Sequence, residues 1–186
     1  MYGKRGAAVA ALAMTVAIGV TGCGAQEAGA GGFGREAAQA EIRAAVAGAG
    51  LPKSELPEPG QVTATATPAD ERERIAQRAA ACSAAWQYVG PVADGSRGGF
   101  DEAVAALAGE RWSQSQRQVE KLDDKGGTMV AVTLKKQGWT LYARHQSTRQ
   151  GLSMDLISFQ ASEDSCMARF TAKELDTLFG EDRERP

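Results

Sequence analysis

The chain has 186 residues, with 21 basic and 23 acidic side chains and a formal net charge of −2. That length holds one domain plus accessory segments. So near-neutral a balance excludes the strong cationic field that binding to nucleic acid or anionic headgroups draws on. No asparagine occurs, so there is no N-glycosylation acceptor. Arginine outnumbers lysine 14 to 7, a usage in keeping with a high-GC bacterial genome.

Residues 1–6 form a short basic head with Lys4 and Arg5, and residues 7–22 carry no charge. A helix over that run rises only about 24 Å, short of the roughly 30 Å of bilayer hydrocarbon. The proportions are those of a signal-peptide core. The run closes on Val20, Thr21, Gly22 and Cys23: an aliphatic residue, two small residues and a thiol.

These four residues resemble, position by position, the lipobox of bacterial lipoprotein precursors. The resemblance covers residues 1–23. It implies a signal peptidase site at Val20, Thr21 and Gly22, cleavage before Cys23, and a diacylglyceryl thioether on Cys23. The mature chain would then be held on the extracytoplasmic face of the cell membrane by its lipid. The alternative is an ordinary secretory signal with a chance cysteine. One acyl chain binds weakly at about 0.8 kcal/mol per buried methylene, so a lasting anchor needs two or more. Removal of residues 1–22 leaves 19 basic against 23 acidic groups, a net of −4.

With Cys23 committed to lipid, Cys82 and Cys166 remain as a pair. In an oxidising compartment such a pair reads as a disulfide. Two separate buried thiols are the alternative.

Residues 23–67 read as a tether. Within it, residues 36–49 form an alanine-rich helix with a thin apolar stripe at Ile42, Val46 and Ala49, and its docking on the domain is left open. Pro52, Pro57, Pro59 and Pro68 punctuate an extended linker. The strongest helical signal covers residues 67–89. Thr67 is placed to cap, Pro68 suits the first turn and Asp70 stands as a capping-box acid. Ile75, Ala79, Cys82, Trp86 and Val89 then fall on one helical face. A shorter helix over 100–108 buries Phe100, Val104 and Leu107.

From Trp112 the period changes to two. Residues 128–134, 139–145 and 152–161 alternate as strands, with 112–122 a fourth strand or else a helix. Thr171 to Glu174 is a T-x-x-E capping box opening a last helix with Leu175, Leu178 and Phe179 inward. Residues 181–186 are expected to fray. The expected fold class is α+β: helices packed on an antiparallel meander of three to four strands, with a C-terminal helix. The main helix over 67–89 is expected on one sheet face and the domain over 68–180. This order, with the Gly138-Trp139 hairpin and the cysteine pair, also resembles small uncharacterised lipoproteins of actinobacteria, a likeness that implies no activity.

No catalytic constellation stands out. His145, the sole histidine, is expected at a surface or edge, and zinc lacks partners at matched spacing. Gly95-Ser96-Arg97-Gly98 reads as a loop, not a nucleophile elbow. Asp123-Asp124-Lys125-Gly126-Gly127 reads as a polar turn, since it lacks the acidic spacing of a calcium loop. Glu102 and Glu110 have no partner carboxylate. Trp86, Trp112 and Trp139 are expected in the core. No cofactor, metal or nucleic acid is implied. The expectation is a non-enzymatic binding or scaffold module on the membrane, with an envelope protein as partner. A carrier of an apolar ligand needs an open cavity, and a hydrolase needs His145 in a pocket beside a carboxylate.

Overall fold

A computed structural model describes residues 32–53, 70–149 and 153–179 of the chain. The lipobox, Thr67, Pro68 and the segment 181–186 lie outside the described residues. The architecture is α+β, as the alternation in the sequence requires, but the sheet has five antiparallel strands rather than three or four. The described elements are α1 (Arg35–Gly48), α2 (Glu71–Ala81), β1 (Ser83–Pro91), α3 (Ser96–Gly109), β2 (Ser113–Lys121), β3 (Thr128–Lys136), β4 (Trp139–Thr148), β5 (Met154–Glu163), α4 (Asp164–Met167) and α5 (Ala172–Phe179). Strand order is β1-β5-β4-β3-β2. The region over 112–122 is strand.

The fifth strand comes from the stretch expected to finish the main helix. That helix stops at Ala81, and Ser83–Pro91 is strand β1. The reason is a coincidence of periods. Ala84, Trp86 and Tyr88 alternate with Ser83, Ala85 and Gln87, so the stretch serves a strand as well as a helix. Pairing with β5 decides the matter, with Trp86 opposite Phe159 and Tyr88 opposite Ile157. At the other end Asp70 is itself the N-cap, accepting from the Glu73 N–H at 2.8 Å.

The inner face of the sheet is covered by α1 and α3, not by α2. The Ala-rich helix α1 therefore belongs to the core, through Ala38, Ile42, Ala45 and Val46. Those side chains meet Phe100, Val104 and Leu107 of α3 and Val132, Leu134, Leu141, Ile157 and Phe159 of the sheet in one cluster. Trp86, Trp112 and Trp139 are all buried in it. Polar links finish the docking. Glu41 accepts from Trp112 Nε1 at 2.7 Å and pairs with Lys136, whose ammonium also sits 4.4 Å over the Phe33 ring. Gln39 reaches the free edge of β1. Its amide donates to the Ala85 carbonyl at 3.0 Å and accepts from the Ala85 N–H at 2.9 Å. It thus fills the place of a further strand at that edge.

Gly99 of α3 lets α1 approach, since a Cβ there would lie 3.0 Å from the Ala49 carbonyl. Gln137 and Gly138 turn β3 into β4 with φ of 45° and 80°. That is the two-residue, positive-φ geometry a tight hairpin needs.

On the other side of the sheet α2, α4 and α5 gather round a separate cluster of Ile75, Cys82 and Phe170. Leu175 and Leu178 pack against it. Cys82 and Cys166 are bonded there, with Cα atoms 5.7 Å apart. The bond ties the end of α2 to α4 and so fastens this cluster beside the β1–β5 end of the sheet. The capping box is formed: Thr171 Oγ1 accepts from the Glu174 N–H, and Glu174 Oε2 accepts from the Thr171 N–H at 2.8 Å. Hydrogen bonds from the Thr171 N–H and from Arg78 lower the Glu174 pKa to about 2.

Candidate functional sites

His145 is not at a surface or edge. It lies on β4, between β3 and β5, and is 1% exposed. Its side chain continues the inward series Trp139, Leu141, Ala143. Val130 and Ile157 flank it across the sheet, and the Phe100 ring stands 5.7 Å away. Two polar side chains share this burial. Asp155 opens the inward series of β5 that continues with Ile157 and Phe159, and it is fully buried. Ser96 is no loop residue: helix α3 begins at Ser96, earlier than position 100, and brings its hydroxyl onto the sheet. Ser96 Oγ donates to Asp155 Oδ2 at 2.6 Å and lies 3.2 Å from His145 Nε2. The Ala93 N–H also donates to Asp155 Oδ2.

An ionised Asp155 takes the one Ser96 proton, and with that arrangement the His145 contact is Nε2–H donating to Ser96 Oγ. His145 Nδ1 is then a bare acceptor. Burial lowers the His145 pKa below 6.5, the Asp155 charge opposes this, and the Arg97 charge adds to it. The ring is therefore neutral at pH 7.

A serine, a histidine and a carboxyl group in contact invite comparison with an acyl-transfer triad. There, the histidine takes the serine proton and the carboxylate holds the other ring nitrogen. Here the serine bridges the other two, its proton points at the carboxyl group, and Nδ1 has no partner. The arrangement positions a hydroxyl and buries a neutral ring; it has no nucleophile–base–orienter relay.

The larger cavity lies on the opposite face of the sheet. A groove of about 700 Å³ opens between α2, α4 and α5 and the outer side chains of β1, β4 and β5. Its walls are mostly small: Ala76, Ala79 and Ala80 of α2, Ala85 of β1 and Ala168 after α4, with Met167, Leu178 and Tyr142. Small side chains create the space, because α2 cannot close on the sheet with only methyl groups between. Tyr142 and Gln160 also border a smaller, more polar depression of about 270 Å³ lined by Gln87, Arg144 and Ser158. The two concavities are neighbours on this face, one mainly apolar and one more polar.

The remaining candidates are structural. Asp123 Oδ1 accepts from the Lys125 and Gly127 N–H groups, and Asp123 Oδ2 accepts from the Arg149 N–H, so the acidic turn closes on itself. Those bonds hold the Asp123 pKa below the usual carboxylate range. No group of three or more His, Cys, Asp or Glu side chains is placed to hold a metal ion among the described residues. No described helix is long and apolar enough to cross a membrane. Comparison with protein-family models, with curated proteins and with solved structures finds no match.

Proposed function

We propose that this chain is a lipid-anchored, non-enzymatic binding module of the extracytoplasmic membrane face, and that it carries a single-chain amphiphile in the outer-face groove. The observation that carries the reading is the adjacency of the about 700 Å³ apolar groove and a more polar depression, with Tyr142 and Gln160 bordering both. An apolar tail fits under α2 and α5, and a polar head reaches Gln87, Ser158 and Arg144. The volume is in the range of small-molecule sites, about 300–1,000 Å³. The lipobox residues Val20, Thr21, Gly22 and Cys23 support the location, since a tethered domain meets amphiphiles at the membrane surface.

The experiment is displacement of a fluorescent fatty acid from the purified full chain by a lysophospholipid. Ala80→Trp narrows the groove from α2 at a half-exposed position. It should weaken binding by about tenfold or more, which is roughly 1.4 kcal/mol, with the melting temperature kept. Equal binding by the variant, or none by the parent, sinks the carrier reading. Separately, Cys23→Ala should give an uncut precursor or release to the medium; normal processing with unchanged membrane retention would remove the anchor.

A second reading, an envelope protein partner, is favoured by β2. This strand is a sheet edge with all nine residues exposed, whereas the β1 edge is met at Ala85 by Gln39 and at Ser83 by Arg35. An open edge is a template for strand addition. A photo-crosslinker at Gln118 should then capture a partner in cells, and one at Ser83 on the covered part of the β1 edge should not; equal capture at both ends this reading.

A further inference from the structure

Among the described residues three buried side-chain atoms lack a hydrogen-bond partner: His145 Nδ1, Ser147 Oγ and Asp155 Oδ1. All three belong to one place. Ser147 stands opposite Asp155 across the β4–β5 pair, and His145 precedes Ser147 by one inward step. Leaving a buried polar atom without a partner forfeits its hydration with nothing in return, and native structures keep few of them. Three together mark a seat for a partner. Nδ1 accepts in the Nε2–H tautomer, Oδ1 accepts in the carboxylate, and the Ser147 hydroxyl can also accept.

His145 and Ser147 line a cavity of about 170 Å³ on the inner side of the sheet, away from the groove. Its other walls are Thr128, Arg97, Arg149, the Asp94 carboxylate and the first turn of α3, and Asp155 stands behind the wall. That turn starts from Gly95 with no side-chain cap and no acid. The Ser96 N–H is taken by the Ala93 carbonyl at 3.1 Å, and the turn as a whole carries the positive end of the helix dipole. The cavity therefore has two polarities. Its floor offers the His145 and Ser147 acceptors, and its rim carries Arg149 and Arg97, the latter paired with Asp101, beside the exposed Asp94. A bare anion would leave the floor unpaired. A metal cation would face the arginines of the rim. A molecule with an ammonium at one end and a carboxylate at the other satisfies both. The volume is well below the roughly 300 Å³ at which drug-sized sites begin, so the side chain of such a molecule must be small.

We propose that this cavity binds a small zwitterionic α-amino acid of glycine or alanine size. Its ammonium lies toward His145 and Ser147, and its carboxylate toward Arg149 and the start of α3. The site is independent of the outer-face groove.

The test is calorimetric titration of the purified full chain with glycine and alanine, and with methylammonium and acetate as half-ligands. Saturable one-to-one binding of an amino acid is expected, with each half-ligand about tenfold weaker or more. Ser147→Ala and Arg149→Ala should each weaken amino-acid binding about tenfold or more, the size of one charge-assisted hydrogen bond. Their melting temperatures check that the fold is kept; should either variant misfold, the half-ligand comparison on the parent chain decides alone. No saturable binding of either amino acid overturns the proposal and leaves an internal water as the partner of the three atoms. Acetate binding as tightly as glycine, or both variants binding as the parent does, overturns it too.

Discussion

Removing the Cys82–Cys166 bond should loosen the outer-face helices before it melts the main core. The bond joins positions 84 apart. For a loop of that length the chain-entropy relation assigns about 4–5 kcal/mol, through the freedom denied to the unfolded chain. A domain of this size loses about 2–4 °C per kcal/mol, so the double variant Cys82→Ala/Cys166→Ala should melt roughly 8–20 °C lower. The double variant is the right perturbation because Cys82 is buried beside Ile75 and Phe170, where an apolar methyl is tolerated and a lone thiol invites exchange. The loss should also be uneven. Apart from the disulfide, the small cluster is tied down by the Arg78–Glu174 ion pair and by the Glu163 N–H on the Cys82 carbonyl at 3.0 Å. The main core has Phe100, Trp112, Phe159 and many aliphatic neighbours. Calorimetry gives the first quantity, and hydrogen exchange followed by mass spectrometry gives the second. Amides of α2, α4 and α5 should lose protection well before those of β3 and β4. A melting shift below about 3 °C, or equal loss of protection in both clusters, would refute the reasoning.

Gln39→Ala uncovers the β1 edge and removes two hydrogen bonds to Ala85. A cost of about 1–2 kcal/mol in urea unfolding is expected, with concentration-dependent association in sedimentation velocity as the open edge pairs. Acid should destabilise the protein through His145, whose folded pKa lies below 6.5. The unfolded chain binds that proton first, so the contribution is complete above the unfolded pKa of about 6.5 and is lost as pH falls through the folded pKa. His145→Gln should flatten the difference in urea midpoint between pH 7.5 and pH 5; an unchanged difference rejects the assignment. Gly138→Ala forces a side chain onto a φ of 80° in the β3–β4 hairpin. It should cost about 1–2 kcal/mol in the same urea assay.

Part of both sites was legible. His145 continues the inward alternation Trp139, Leu141, Ala143, and a strand residue of that parity is buried when the sheet is covered. Asp155 stands at the inward parity of Ile157 and Phe159 on the next strand, a carboxyl group on an apolar face. Extending each alternation by one step points to both. Ser96 had no such signal. It lies 49 positions from His145 and 59 from Asp155, and only the seating of α3 on the sheet brings them together. The outer-face groove was equally hidden, since alanines on α2 look like helix-formers and not like the wall of a cavity.

Local chemistry alone determined the strands β3, β4 and β5, the T-x-x-E cap and the tight turn at Gly138, each of which depends on neighbours in sequence. Three cysteines do not fix a pairing by count, and the Cys82–Cys166 bond is settled by the fold that brings their Cα atoms to 5.7 Å. The tertiary structure decided the rest. Ser83–Pro91 fits two periods, and a free place beside β5 made it a strand. The stripe on α1 is thin, and its docking is completed by Gln39 and Glu41 meeting groups 46 to 95 positions away. A helix face or a strand edge states what it can bury, but which surface arrives to cover it is settled only when the elements compete for the same sheet.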